Sequence, residues 1–85
     1  MSTPNNKPVD TIRDRELKAT IWERLGEKGT FYIVEISRTY KDEEGNYKTS
    51  HSYSQDQLLR VARLADIAYN EIAILYAKVA EEKAA

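Results

Sequence analysis

The chain has no cysteine, and its 85 residues include only one histidine, one tryptophan, three glycines and two prolines. Without thiols there is neither a disulfide framework nor a thiolate zinc site, and His51 alone cannot build a histidine-rich metal centre. The lack of cysteine also fits a reducing, cytoplasmic setting. Gly26, Gly29 and Gly45 are too few and too scattered for a phosphate-binding loop or a dinucleotide fingerprint, so no nucleotide cofactor is expected. Met1 to Asp10 carries Pro4, Asn5, Asn6 and Pro8 but no apolar run, and reads as a flexible tail rather than a signal peptide or membrane span. Neither sign of charge dominates. With 13 basic against 14 acidic residues the formal net charge is −1, so any attraction for nucleic acid or anionic lipid has to come from a local patch. A chain of this length forms one domain with a small core and little room for a deep cleft, so neither catalysis nor a small-molecule substrate is expected.

What is present is alternation. Leu17, Ala19 and Ile21 alternate with Lys18, Thr20 and Trp22 through Leu25, the period of a half-buried strand. Gly26-Glu27-Lys28-Gly29 supplies a turn, and Thr30 to Tyr40 is rich in β-branched and aromatic residues, which completes a hairpin. Lys41 to Asn46 is a polar turn, and Tyr47 to Tyr53 alternates again as a further strand. Val9 to Arg13 is an optional short edge strand.

The period changes at Ser54. Ser54 reads as an N-cap with Gln57 at the reciprocal position of a capping box, and Asp56 suits the positive end of the helix dipole. Leu58, Val61, Ala65, Ala68, Ile72, Leu75 and Val79 then recur at spacings of three and four, with Leu64, Ile67 and Ile74 on one flank. Glu81, Glu82 and Lys83 lead into an Ala-rich end that frays over residues 81–85. The expectation is an α+β domain over residues 11–80, an antiparallel β-β-β-α meander of three strands, or four with the optional edge, and one long C-terminal helix on one face.

Pairing Leu25 with Thr30 sets Ile21 against Val34 and Ala19 against Ile36. Pairing Tyr40 with Tyr47 sets Ile36 against His51 and Val34 against Tyr53. The face carrying Leu17, Ala19, Ile21, Tyr32, Val34, Ile36 and Tyr53 is expected under the helix, with Ile21, Val34 and Ile36 meeting Val61, Ala65 and Ala68. The other face then holds Lys18, Thr20, Trp22, Arg24, Phe31, Ile33, Glu35, Ser37, Lys48, Ser50 and Ser52. Among these, Lys18, Trp22, Arg24, Phe31, Ile33 and Lys48 form a candidate binding face, because rings stack bases and cations meet phosphates.

Other constellations are weaker. Ser50, His51 and Ser52 resemble a nucleophile beside a base, but adjacent strand residues point to opposite faces. Asp42, Glu43 and Glu44 before Gly45 lack the alternating ligands of a calcium loop. A helix from Ser54 to Val79 spans about 39 Å, whereas strands of roughly eight residues reach about 26 Å. The turns around Ile72, Leu75, Tyr76 and Val79 are therefore expected to project beyond the sheet as an association stripe for a second copy or a protein partner.

The run Leu17-Lys18-Ala19-Thr20-Ile21-Trp22, with Phe31-Tyr32, Ser37-Arg38-Thr39-Tyr40, Asp42, Gly45 and Leu58-Leu59-Arg60-Val61-Ala62, resembles a group of small bacterial proteins of unknown function, some from plasmids or other mobile elements. The likeness covers Lys7 to Ile74 and implies a compact domain without assigning an activity. Thr11 to Asp14, Tyr40 to Lys48 and Ser52 to Gln57 also resemble the strand, turn and helix-start order of the transcriptional-coactivator family that binds single-stranded DNA as a dimer. This chain differs from that family in a less basic sheet, an extra hairpin and a longer helix. Two functions stand as expectations: an interaction module that binds a protein partner or itself, and a single-stranded nucleic-acid binder using the open sheet face.

Overall fold

The computed structural model describes the backbone of residues 7–84 and the side chains of residues 7–80. Residues 1–6 of the tail expected over residues 1–10, and the side chains of the expected frayed end, lie outside the described residues. Four strands, β1 (Asp10–Asp14), β2 (Leu17–Gly26), β3 (Gly29–Lys41) and β4 (Tyr47–Ser50), precede one helix, α1 (Gln55–Ala84). The strands pair antiparallel in the order β1-β2-β3-β4, so the α+β meander expected from the alternation is present and the optional edge strand is real. Val9, assigned by composition to the tail, donates its N–H to the Ile21 carbonyl at 2.8 Å.

The β2–β3 register agrees with expectation, with Leu25 opposite Thr30, Ile21 opposite Val34 and Ala19 opposite Ile36. The β3–β4 register does not. Lys41 pairs with Tyr47 and Tyr40 with Lys48, one residue away from the Tyr40–Tyr47 pairing that the polar run suggests. The turn is the cause. The Asp42 N–H donates to the Asn46 carbonyl at 2.9 Å and the Gly45 N–H to the Asp42 carbonyl at 3.0 Å, while Gly45 takes φ 86°. That is a three-residue loop, a tight turn followed by a left-handed glycine, and an odd loop shifts the register by one. Asp42 Oδ1 secures it by accepting the N–H groups of Glu44 at 3.0 Å and Asn46 at 2.8 Å. β4 also ends at Ser50, so His51 and Tyr53 never face Ile36 and Val34 across a ladder. Instead the Tyr53 hydroxyl donates to the Ile36 carbonyl, and His51 Nδ1 meets the same carbonyl at 3.0 Å.

Leu17, Ala19, Ile21, Leu64 and Ala68 are the buried apolar residues, and Ile12, Val34, Ile36, Tyr53 and Val61 pack around them. The helix keeps five of the seven expected inward residues, Val61, Ala68, Ile72, Leu75 and Val79, and departs from expectation at Leu58 and Ala65. Ala65 is exposed rather than core, Leu58 is 51% exposed, and Leu64 fills the centre at 2%. The stripe facing the sheet runs through Gln57, Arg60, Val61, Leu64, Ala68, Glu71, Ile72, Leu75 and Val79, so its first turn is polar and hydropathy alone misplaces Leu58 there. Ser54 caps the start by half of the expected box: Gln57 Oε1 accepts the Ser54 N–H at 3.0 Å, but Ser54 Oγ donates to Asp56 Oδ1 at 2.5 Å.

The expected overhang of the helix is corrected as well. The two central strands are longer than eight residues: β2 has 10 and β3 has 13, which reach about 43 Å, against about 45 Å for the 30 residues of α1. Tyr76 still lies over the sheet, its ring edge-on to Tyr32 at 5.1 Å and its hydroxyl accepting the Tyr32 N–H at 3.3 Å.

Candidate functional site

The sheet has one covered and one open face. With side chains alternating along each strand, the open face carries Thr11 and Arg13 from β1, then Lys18, Thr20, Trp22 and Arg24 from β2. β3 adds Phe31, Ile33, Glu35, Ser37, Thr39 and Lys41, and β4 adds Tyr47 and Thr49. Five of the six residues expected for a binding face, Lys18, Trp22, Arg24, Phe31 and Ile33, are brought together here. Lys48 is not. The one-residue shift turns Lys48 and Ser50 to the helix side, where Lys48 Nζ approaches Asp42 at 3.9 Å. Tyr47 and Thr49 replace them, and Ser52 lies past the end of β4.

Four cations, Arg13, Lys18, Arg24 and Lys41, thus share this face with a single strand carboxylate, Glu35. The acids of the strands gather on the other side, where Asp10, Asp14 and Glu23 alternate with the core residues. A chain of net charge −1 thereby presents a locally basic surface.

The face is grooved. Thr20 and Ser37 are buried in its floor, 7% and 5% exposed. Above them lies a shallow depression of about 370 Å³ lined by Arg13, Lys18, Trp22, Glu35, Thr49 and His51 among others. A second depression of about 330 Å³ reaches Arg15, Thr39 and Tyr47 and shares Arg13 and Lys18 with the first. The two cations sit where the depressions meet, with Trp22 toward one end and Tyr47 at the other. From Ile33 beside Trp22 to Lys41 beside Tyr47 is eight strand steps, about 26 Å. Trp22 is half-buried and positioned from two sides: its Nε1–H donates to Glu35 Oε1 at 3.1 Å, and the Arg24 guanidinium lies 5.2 Å from the ring centre. Lys41 stands 5.7 Å from the Tyr47 ring.

The base of the groove is held from behind. β1 and β2 are joined by Arg15-Glu16, and Arg15 adopts φ 56°, a left-handed conformation unfavourable for a non-glycine residue. Arg60 grips this turn: Nε meets Asp14 Oδ2 at 3.1 Å, Nη2 donates to the Asp14 carbonyl at 2.9 Å, and Nη1 and Nη2 reach the Glu16 carboxylate at 3.1 and 3.0 Å. Gln57 Nε2 adds a bond to Glu16 Oε2 at 2.8 Å, and the Glu16 carbonyl accepts the Thr39 N–H at 2.9 Å. This clasp fixes the turn flanked by Arg13 and Lys18. The sequence did not reveal it, because its members are 41 to 46 residues apart.

The bond from the Arg60 guanidinium, then that from Gln57, holds the Glu16 carboxyl down at about 2. Its folded pKa lies below the unfolded one, so its contribution is present above the ordinary carboxylate range and is lost as pH falls toward 2. Arg60→Met is expected to remove the part of the acid-unfolding slope that lies below pH 4.5, as followed by circular dichroism. An unchanged slope would show that the clasp adds nothing to stability. Glu71 runs the other way: the neighbouring Asp10 raises its pKa, first through their side-chain hydrogen bond. That pair favours the fold at low pH, and its contribution fades as Glu71 ionises.

Among the described residues no cluster of three or more acidic, histidine or cysteine side chains is arranged to hold a metal ion, and no helix is long and apolar enough to cross a membrane. No protein-family model, curated protein or solved structure matches the chain.

Proposed function

We propose that the chain is a non-enzymatic binding domain whose open sheet face takes single-stranded nucleic acid. The observation that carries this reading is the sorting of charge by the sheet: Arg13, Lys18, Arg24 and Lys41 on the open face with one carboxylate, against Asp10, Asp14 and Glu23 behind it. Cations at intervals along a groove track a phosphate backbone, and a half-buried ring at one end and an exposed one at the other offer stacking platforms to unpaired bases. The groove's length of about 26 Å suits the lower end of the roughly 4 to 16 nucleotides that sheet-based single-strand sites take.

The test is an NMR titration of labelled protein with single-stranded oligonucleotides at two salt concentrations. Amide shifts are expected at Arg13, Lys18, Trp22 and Tyr47. Arg13→Ala with Lys18→Ala should reduce the slope of log affinity against log salt by about 1.4, at roughly 0.7 for each phosphate contact. Lys48→Ala should leave both unchanged, since that side chain is turned away. A folded protein whose open-face amides stay still at low salt would dispose of this reading. The second reading, association with itself or a protein partner, is favoured by the exposed apolar flank of α1, where Tyr69 is 75% and Tyr76 44% exposed.

A further inference from the structure

The open face is graded as well as basic. Along β2 the outward residues Trp22, Thr20 and Lys18 follow one another at every second position, and their cross-strand neighbours repeat the grading. Ile33 stands opposite Trp22, Thr11 and Glu35 flank Thr20, and Arg13 and Ser37 flank Lys18. The groove thus passes from a ring, through a rung of hydroxyls and one carboxylate, to a rung of cations with a further hydroxyl. Each rung lies about 6.8 Å from the next, two residues along the strand.

The polar groups of this stretch are deep and unpaired. Thr20 and Ser37 are 7% and 5% exposed, yet among the described residues neither hydroxyl bonds to another group. No sealed side-chain oxygen or nitrogen lacks a partner, so both hydroxyls open onto the depression of about 370 Å³ that they line. Glu35 lines it too, and accepts the Trp22 Nε1–H with Oε1, which leaves Oε2 without a partner among the described residues. Sunken hydroxyls left unpaired are costly, and a ligand that bonds to them recovers the loss. A carboxylate in a groove that tracks phosphates repels them unless it meets a donor.

We propose that the groove, as a single-strand site, prefers RNA to DNA and seats the ribose of one nucleotide on the rung of Thr11, Thr20 and Glu35. This ribose seat rests on the single-strand reading above. Ring, hydroxyl rung and cation rung follow the order of base, sugar and phosphate within one nucleotide. A base against Trp22 and a phosphate at Arg13 and Lys18, where the Ser37 hydroxyl also donates, put the sugar between them. There the 2′-OH donates to the second oxygen of Glu35 and accepts from the Thr20 hydroxyl. That group, both donor and acceptor, is what lets a protein tell RNA from DNA. A carboxylate that accepts from a ribose 2′-OH is also the device of dinucleotide-binding folds. Deoxyribose has no hydroxyl there, so it leaves Thr20 unpaired and the Glu35 carboxylate near phosphates with no donor to answer it. Base and phosphate contacts are common to both kinds of strand, so the discrimination falls on this rung.

Fluorescence anisotropy with labelled oligouridylate and oligodeoxyuridylate of equal length tests the seat, because the two strands differ only in the 2′-OH. The wild-type chain is expected to bind the ribose strand about tenfold or more tighter, the effect of one hydrogen bond to a charged group. Glu35→Gln keeps an acceptor for Trp22 while removing the carboxylate, and Thr20→Val removes the hydroxyl at nearly equal size. Each should bring the ratio of ribose to deoxyribose affinity toward one. Equal wild-type affinities for the two strands overturn the ribose seat and leave the single-strand reading standing. Binding to neither strand overturns both. A ribose preference that survives undiminished in both variants places the discrimination elsewhere and overturns the assignment. Should Thr20→Val fail to fold, Glu35→Gln, at an exposed position, decides alone.

Discussion

Leu64→Ala is expected to destabilise the domain by about 2 to 5 kcal/mol, the range for removing a fully buried leucine from a core that cannot collapse around the loss. Leu64 is 2% exposed and meets Leu17 and Ala19, both at 0%. These three are the centre of a core with few fully buried members, so few neighbours are able to shift into the space. Total stability of a small domain is about 5 to 15 kcal/mol, so this one substitution removes a large share. Urea unfolding measures it. Leu59→Ala is the matched control, because Leu59 is 83% exposed on the same helix and alanine is the better helix former; a change within about 0.5 kcal/mol is expected there. Equal losses from the two substitutions would mean that α1 is rotated from the orientation described.

Trp22→Ala is expected to weaken single-strand binding by about 1 to 3 kcal/mol, the usual loss when a stacking ring is removed, or roughly 5- to 150-fold in Kd. The ring is set between the Glu35 carboxylate and the Arg24 guanidinium, so it is presented in a fixed orientation rather than searching for a base. Trp22→Phe separates the two duties of this side chain: it keeps a stacking surface but gives up the Nε1–H that reaches Glu35. Most of the affinity should survive Trp22→Phe. Fluorescence anisotropy with a labelled oligonucleotide reads both variants, and thermal melts exclude unfolding. An alanine variant that binds as tightly as the wild type would take Trp22 out of the interface.

The long β2–β3 hairpin was legible because its turn carries glycines at both ends. Gly29 takes φ 120° there. Gly26 serves differently, since a Cβ at that position would stand 3.1 Å from the Phe31 ring. Five members of the open face followed directly from that hairpin. β4 was misread because a polar run does not disclose how many of its residues leave the ladder, and only the left-handed Gly45 makes the loop odd. The β1–β2 turn was hidden for the opposite reason: Arg15 accepts a backbone conformation that sequence reading reserves for glycine, and the clasp that holds it comes from a distant helix. The helix itself was recognised, and its inward stripe was right from Ala68 onward but misplaced at Leu58 and Ala65. Apolar residues occupy two of its flanks, and Gln57 and Arg60, polar in sequence, face inward to reach Glu16. For the β1–β2 turn and the first turn of the helix the deciding contact is long-range, and local patterns carry no record of it; for β4 it is the local geometry of one turn.

The loop from Asp42 to Asn46 has a consequence for how such a domain changes over time. Because its odd length determines which β4 side chains look outward, inserting or deleting one residue at its tip would exchange Tyr47 and Thr49 for Lys48 and Ser50 without altering a single strand position. An aromatic end of the groove would become a cationic one in a single step, leaving the core beneath β2 untouched. A loop far from the centre of the fold thus acts as a tuning peg for its surface, through which related chains could diverge in preference while keeping the same architecture.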